Sequence, residues 1–442
     1  MASVNSTSAN SPTGYLFSKP YSFFVFGLVC LLMVFDFADR MIVSALFPFL
    51  KQEWGLSDTQ CGSLVSAVYW AMFLFAVPTS VLVDRWSRRK ATGLMAMLWS
   101  MASGACAFVT GYWQLLVART AIGVGEAAYA PAGMAMISAL FPAGIRSMMI
   151  GVFNACIPIG MALGMMAGGY IATHWGWRHA FGVVALPGLV LAVMFFFVRE
   201  YKTVALEHTV AAPESGLKGS ARKQKMTTGD VLKEFFKKPS LVACYFGFAA
   251  MSFQYVSTTT FLPSYLTRVQ GMPLQKATAI VSGLLLLGLV SNPLGGWLTD
   301  RWMRTNIRAR MLLPAICYAM SAVLGVSAYT IFASGNIQFL ALFGSVLFLG
   351  AAGAGPIAVT QDVVHPGLRA MSYAFGITFQ HMLGSAPGPL VTGMMSDRLG
   401  LPTAMAVAAG VGILSAVVLF AGSFYYKRDL AKVEKVRLEA EA

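Results

Sequence analysis

Charge is what this chain of 442 residues has least of. Asp, Glu, Lys and Arg together make up 11% of it, against about a quarter in an ordinary soluble domain. With 57% hydrophobic residues, a single soluble core is excluded. Cysteine is scarce as well. The six (Cys30, Cys61, Cys106, Cys156, Cys244, Cys317) have no Cys-x-x-Cys spacing, so neither a metal site nor a disulfide framework follows, and they read as packing residues. A P-loop, a Gly-x-Ser-x-Gly elbow and metal-ligand His/Cys spacing are all missing, which argues against an enzyme and implies no cofactor. The first 18 residues carry no charge and so lack the basic start of a cleaved signal peptide. The first apolar run is therefore expected to be retained.

What the chain does have is a succession of apolar runs of about 20 residues, the length that crosses a bilayer. Twelve spans are expected, near 21–50, 58–83, 91–111, 114–140, 148–173, 179–198, 240–266, 275–299, 311–333, 337–361, 371–396 and 402–426. An even number puts both termini on one side. The net charge of +14 could suggest a nucleic-acid partner, but its distribution decides otherwise. Of 32 Lys and Arg residues, 25 fall on the side of the termini and five (Lys51, Arg178, Arg268, Lys276, Arg398) on the other, with Arg40 and Arg119 inside spans. The positive-inside rule then places both termini in the cytoplasm of a cell (inner or plasma) membrane. The expected class is an all-α integral membrane protein: 12 transmembrane helices in two six-helix bundles. The divisions are a tail at 1–20, a first bundle at 21–198, a basic linker at 199–238, a second bundle at 239–426 and a tail at 427–442.

Asp36, Asp39 and Arg40 stand in the middle of the first apolar run. Each such charge costs roughly 2.5–3.5 kcal/mol to insert, so the three must face a polar interior and find partners. The fourth span adds Arg119, Gly123 and Glu126, spaced four and three apart on one helix face. Burial and a neighbouring guanidinium pull a carboxyl group's protonation in opposite directions. Asp39 and Glu126 are accordingly the candidates for carrying a proton. Arg40 and Arg119 stay charged and suit bidentate capture of an anion. One is expected to orient Asp39 and the other to meet substrate. Further polar candidates at mid-depth are Tyr69, Tyr129, Gln254, Tyr255, Gln380 and His381, each able to hydrogen-bond a substrate or only a neighbouring helix. Gly160, Gly164 and Gly168 repeat every four residues in the fifth span, a spacing that lets two helix backbones come close.

Two loops repeat. Asp84-Arg85-Trp86-Ser87-Arg88-Arg89 follows the second span and Asp300-Arg301-Trp302-Met303-Arg304 the eighth, which indicates an internal duplication. An acid at a helix end with bases one turn on suits an ion-pair latch, so Asp84, Arg85, Arg88, Asp300 and Arg301 are gating candidates. With its six-plus-six spans and long linker, this pattern resembles the major facilitator superfamily over essentially 20–426. Ser80 and Ser87 stand where that signature has glycine. The resemblance implies alternating access by two bundles around a midplane site. Asp39-Arg40, Gly125-Glu126-Ala127, Tyr129-x-Pro131, Phe141-Pro142, Ile157-Pro158-x-Gly160 and Trp177-Arg178 resemble the Spinster-type branch, whose members move lysophospholipids and sphingoid phosphates, though Asp36 departs from the Asn of that pattern. Asp39-Arg40, the Gly-Glu-Ala run and Gly176-Trp177-Arg178 are also similar to the anion:cation symporter branch, which takes up sugar acids and other organic anions. The expected partners are a small organic anion, a proton and the lipid bilayer, with the chain acting as a monomer and without nucleic acid.

Overall fold

The computed structural model describes residues 15–85, 88–127, 129–199, 233–332, 334–365 and 368–433. Among them every element is helical, as a hydrocarbon surround demands: only a helix or a closed barrel satisfies each backbone N–H and C=O without water. In order they are α1 (Lys19–Trp54), α2 (Asp58–Arg85), α3 (Arg88–Cys106), α4 (Tyr112–Glu126), α5 (Tyr129–Leu140), α6 (Ala143–Trp175), α7 (Trp177–Phe195), α8 (Pro239–Arg268), α9 (Leu274–Leu286), α10 (Gly288–Met303), α11 (Ala309–Thr330), α12 (Asn336–Ala351), α13 (Ala354–Asp362), α14 (Arg369–Gln380), a π-helical turn His381–Ser385, α15 (Pro387–Leu399) and α16 (Leu401–Ala431). Four expected spans are made of two pieces each: α4 with α5, α9 with α10, α12 with α13, and α14 with α15 through the π turn. Nine stretches among the described residues are long and apolar enough to cross a bilayer unaided. The third, fourth and eleventh expected spans are not among them.

The duplication seen in the loops recurs in the backbone. The fifth and sixth spans are joined through Gly176 (φ 89°, ψ 152°) and the eleventh and twelfth through Gly400 (φ 84°, ψ 152°). These nearly identical positive-φ turns are ones a side chain would strain. Close approach repeats as well. A Cβ added at Gly164 would clash with the Ala38 carbonyl of α1, and one at Gly160 with that of Val34. In the second half a Cβ at Gly384 would clash with the Ala249 carbonyl of α8. The fifth span thus lies against the first as the eleventh lies against the seventh.

The apolar interior is divided unevenly. One core fills the first-half helices and runs on into the ends of α8, α9, α11, α12 and α16 farthest from the chain termini, through Phe261, Leu266, Val281, Tyr329 and Met405. A separate core, around Tyr245, Met311, Tyr318 and Tyr426, fills the second half near the termini. The halves therefore share hydrocarbon contact on the far face and at mid-depth, but keep separate cores near the termini.

Candidate functional site

The charges of α1 and α4 meet in one buried cluster. Asp36, Asp39, Glu126, Arg119 and Arg40 are between 0% and 7% exposed. Arg40 lies between two acids: its Nη2 donates to Asp36 at 2.9 Å and 3.2 Å, and its Nε is 2.9 Å from Glu126. The first pair follows from the four-residue spacing on α1, which stacks 36 under 40. Its neighbour Asp39 points about 100° away around the helix. There it accepts from Ser103 Oγ of α3 at 2.5 Å and sits 3.6 Å from Arg119 Nη1, which also donates to the Asp39 backbone carbonyl at 3.2 Å. Arg119 Nε reaches the Leu64 carbonyl of α2 at 3.4 Å. Of the two arginines it is thus Arg119 that orients Asp39, while Arg40 faces Asp36 and Glu126. Glu126 differs from the other acids. It is the last residue of α4, and neither of its oxygens receives an aligned hydrogen bond despite the nearness of Arg40. Three acids against two guanidiniums leave the cluster one negative charge in excess when all are ionised.

The second half meets this cluster through aromatic and amide groups. The Tyr69 ring of α2 lies 5.6 Å from the His381 ring at the head of the π turn. A π turn carries one extra residue per turn, a distortion found most often at functional positions. His381 Nδ1 is 3.3 Å from Ser385 Oγ, and Gln380 Nε2 donates to Ser252 Oγ at 3.3 Å. Gln380 and Tyr255 line a cavity of about 240 Å³, whose other walls combine apolar residues such as Ile157, Leu262 and Val281 with polar ones such as Thr258, Ser291 and Asn292. Tyr255 donates to Met161 Sδ at 3.3 Å, across the two halves. Two candidates are turned to internal contacts. Tyr129 donates to the Val29 carbonyl at 2.5 Å against the Trp99 ring, and Gln254 donates to Ser321 at 3.0 Å.

A second polar cluster ties the halves together on the far face. The Asp58 carboxylate, at the start of α2, is held by Lys51 Nζ (2.7 Å), by Arg268 Nη1 of α8 (2.8 Å and 2.9 Å) and by Ser396 Oγ of α15 (2.5 Å). Asp397 completes it by accepting from the backbone N–H groups of Asp58 and Thr59, both at 2.8 Å, and from Thr59 Oγ1 at 2.6 Å. Below it α2 and α15 cross with almost no gap: a Cβ at Gly62 would strike the Pro389 carbonyl, and one at Gly393 the Asp58 carbonyl. Every hydrogen bond and ion pair between the halves described here lies at mid-depth or on this face.

The architecture agrees with what known proteins show. The family model described as Major Facilitator Superfamily matches residues 29–389. The chain belongs to the Major Facilitator Superfamily. It is a multi-pass membrane transporter, not an enzyme. Among curated superfamily relatives, it is 28% identical to a hexuronate transporter of Bacillus subtilis over 87% of this chain and 91% of that protein. It is also 28% identical to protein spinster homolog 1 of Homo sapiens over 85% of this chain and 73% of that protein. Among solved structures, a bacterial homolog of the human lysosomal transporter Spinster, in an inward-facing and unoccupied conformation, superposes with a TM-score of 0.81 at 20% identity. That match covers 93% of this chain and 99% of the other. A D-xylose-proton symporter superposes with a TM-score of 0.71 at 15% identity, over 90% and 97% of the two chains.

The repeated loops of this superfamily member give a mixed picture. The side chains of Asp84, Arg85 and Arg88 lie outside the described residues. Asp300 and Arg301 stand exposed at the end of α10, with the Arg301 guanidinium 5.8 Å from the Trp297 ring. Nearby, Asp362 pairs with Arg310 and accepts from Tyr426 at 2.9 Å. The far-face cluster was not among the sequence-derived candidates. One signal did point to it. Only five Lys or Arg residues lie on that face, and two of them converge on Asp58.

Proposed function

We propose that the chain is a proton-coupled symporter of a small organic anion, working by alternating access, with both termini in the cytoplasm. The observation that carries this reading is the buried cluster with one acid more than it has bases, in which Glu126 has a cation beside it and no aligned donor. Such a carboxylate is the natural seat for a proton. Neutralising Glu126 frees Arg40 to turn its second edge to a carboxylate cargo, which a guanidinium holds bidentately. Asp39, held by Arg119 and Ser103, passes the change to α3 and α2. One proton carried with one carboxylate moves no net charge, so the pH gradient supplies the drive: at about 1.4 kcal/mol per tenfold, each pH unit supports about tenfold accumulation. The far-face cluster around Asp58 then serves as the outer gate, closed here, and the separate cores near the termini mark the side from which the site is reached. Similarity to the hexuronate transporter supports a sugar acid as the kind of cargo. A second reading, a lysolipid or other amphipath, is favoured by the apolar part of the walls of the 240 Å³ cavity beside Gln380 and by the Spinster relatives. Uptake into proteoliposomes under an imposed pH gradient, with hexuronates and lysophospholipids as parallel cargoes, separates the two. Gradient-driven accumulation of the sugar acid alone supports the first reading. Accumulation of neither, or accumulation indifferent to the gradient, sinks the coupling.

A further inference from the structure

A second, larger hollow lies away from the charge cluster, between α8, the π turn and α16. Its volume is about 750 Å³. It is a groove, not a void. The floor is made of small buried residues, Ala243, Ala249, Ala250 and Gly422, and the rims of large exposed ones, chiefly Phe246, Leu414 and Tyr425. Ala243 and Ala250 stand seven residues, about two turns, apart on one face of α8, which leaves a channel along its axis. From Pro239 to Phe253 on α8, and from Val411 to Tyr425 on α16, that channel runs about 21 Å at 1.5 Å per residue. This is somewhat more than one leaflet of a hydrocarbon core about 30 Å thick.

The end of the groove nearest the termini is charged, and of one sign. Ser240 N–H and Oγ donate to Asp429 at 3.0 Å and 2.8 Å, which fixes the start of α8 against the end of α16. That contact brings Lys237, next to the groove residue Phe236, to the same level as Arg428, whose guanidinium lies 5.0 Å from the ring of the groove residue Tyr425. Lys233, Lys237, Lys427, Arg428 and Lys432 are all exposed there. Among the described residues, the acids nearby, Glu234 and Asp429, are already engaged. Glu234 is 3.1 Å from Lys238 Nζ, and Asp429 is buried under Ser240, with Arg428 Nε 3.5 Å away.

We infer that this groove is a binding site for an anionic phospholipid of the leaflet on the side of the termini, one acyl chain lying along α8 and α16 and its phosphate meeting Lys237 and Arg428. An uncharged apolar trough would accept any lipid; the cationic mouth selects among them. The site lies on the outside of the second half, remote from Glu126, and does not depend on what the transporter carries.

The test uses the full chain in detergent, with phosphatidylglycerol and phosphatidylcholine added separately and bound lipid counted by native mass spectrometry. Phosphatidylglycerol should bind with a clear excess over phosphatidylcholine. Replacing both cations (K237A with R428A) should weaken it roughly tenfold while leaving phosphatidylcholine unchanged. Ala421→Trp, which fills the groove from its exposed side, should displace both lipids without lowering the melting temperature. Equal binding of the two lipids overturns the proposal, as does unaltered phosphatidylglycerol binding by both variants. Cross-linking of Ala421→Cys between two copies of the chain also overturns it, since the groove would then be a subunit contact.

Discussion

The two polar clusters of this transporter solve the same problem in opposite ways. Asp58, on the far face, is a buried carboxylate with three donor groups around it, Lys51 from the first half and Arg268 and Ser396 from the second. Glu126, at mid-depth, is equally buried, has one cation close by, and receives no aligned hydrogen bond. A carboxylate surrounded by donors has every reason to stay ionised and hold its neighbours; one left short of them gains most from taking a proton. The location of the partners differs too. Those of Glu126 and Asp39 lie within the first half and move with it, whereas those of Asp58 straddle the two halves. On the reading proposed above, the first cluster would change its charge and the second would come apart.

That contrast can be broken at several points. The largest effect is expected at the acids proposed to carry the proton. Glu126→Gln and Asp39→Asn should each abolish gradient-driven accumulation, a loss of about tenfold for each pH unit imposed, while counterflow of cargo without a pH gradient persists. Full accumulation by both variants would show that the proton travels elsewhere. Next comes the seam between the first and fifth spans. Gly164→Val should destabilise the protein by about 3 kcal/mol or more, because its side chain would enter the Ala38 backbone. Gly182→Ala, with nothing within 4 Å, should change the melting temperature little. Equal melting temperatures would mean that the seam is looser than described.

A smaller shift is expected from Asp58→Asn, which leaves Lys51 and Arg268 without their counter-charge. Loss of a partly exposed ion-pair cluster should favour opening of the far face by about 1–2 kcal/mol, or roughly five- to thirtyfold in population. Spin labels at Gln52 and Lys276 should report longer distances. An unchanged distance distribution would leave the apolar seam as the sole lock. The smallest effect belongs to Arg178→Ala. Arg178 pairs with Glu53 at 2.8 Å within the first half, and both side chains are 39% exposed, so less than about 1 kcal/mol of stability and no transport should be lost. A transport defect there would mean that this rim also belongs to the gate.

Much of this was legible in the sequence, and what was not has physical causes. Hydropathy and length disclosed the spans, and the cost of burying charge singled out Asp36, Asp39, Arg40, Arg119 and Glu126. Spacing could have paired Asp36 with Arg40, four residues apart on a helix, but both arginines were expected to face Asp39 and substrate, and that pair was not drawn. The pairing of Arg119 with Asp39 depends on how α4 lies across α1, and no local rule gives that. The Asp58–Arg268 contact joins residues 210 positions apart, beyond the reach of any local periodicity. The π turn at His381 was hidden for another reason: Gln380–Ser385 has neither a Pro nor a composition that distinguishes it from α-helix. The twin glycine turns at Gly176 and Gly400 were visible as residues, but not as a repeated conformation.

The uneven division of the apolar interior has a thermal consequence. If the far face opens in the cycle, it must wet hydrocarbon around Phe261, Tyr329 and Met405 that is dry here, and hydrating apolar surface raises heat capacity. The opening step should therefore carry an activation enthalpy that drifts with temperature. An Eyring plot of transport should bend where that step limits the rate and run straight where cargo release does.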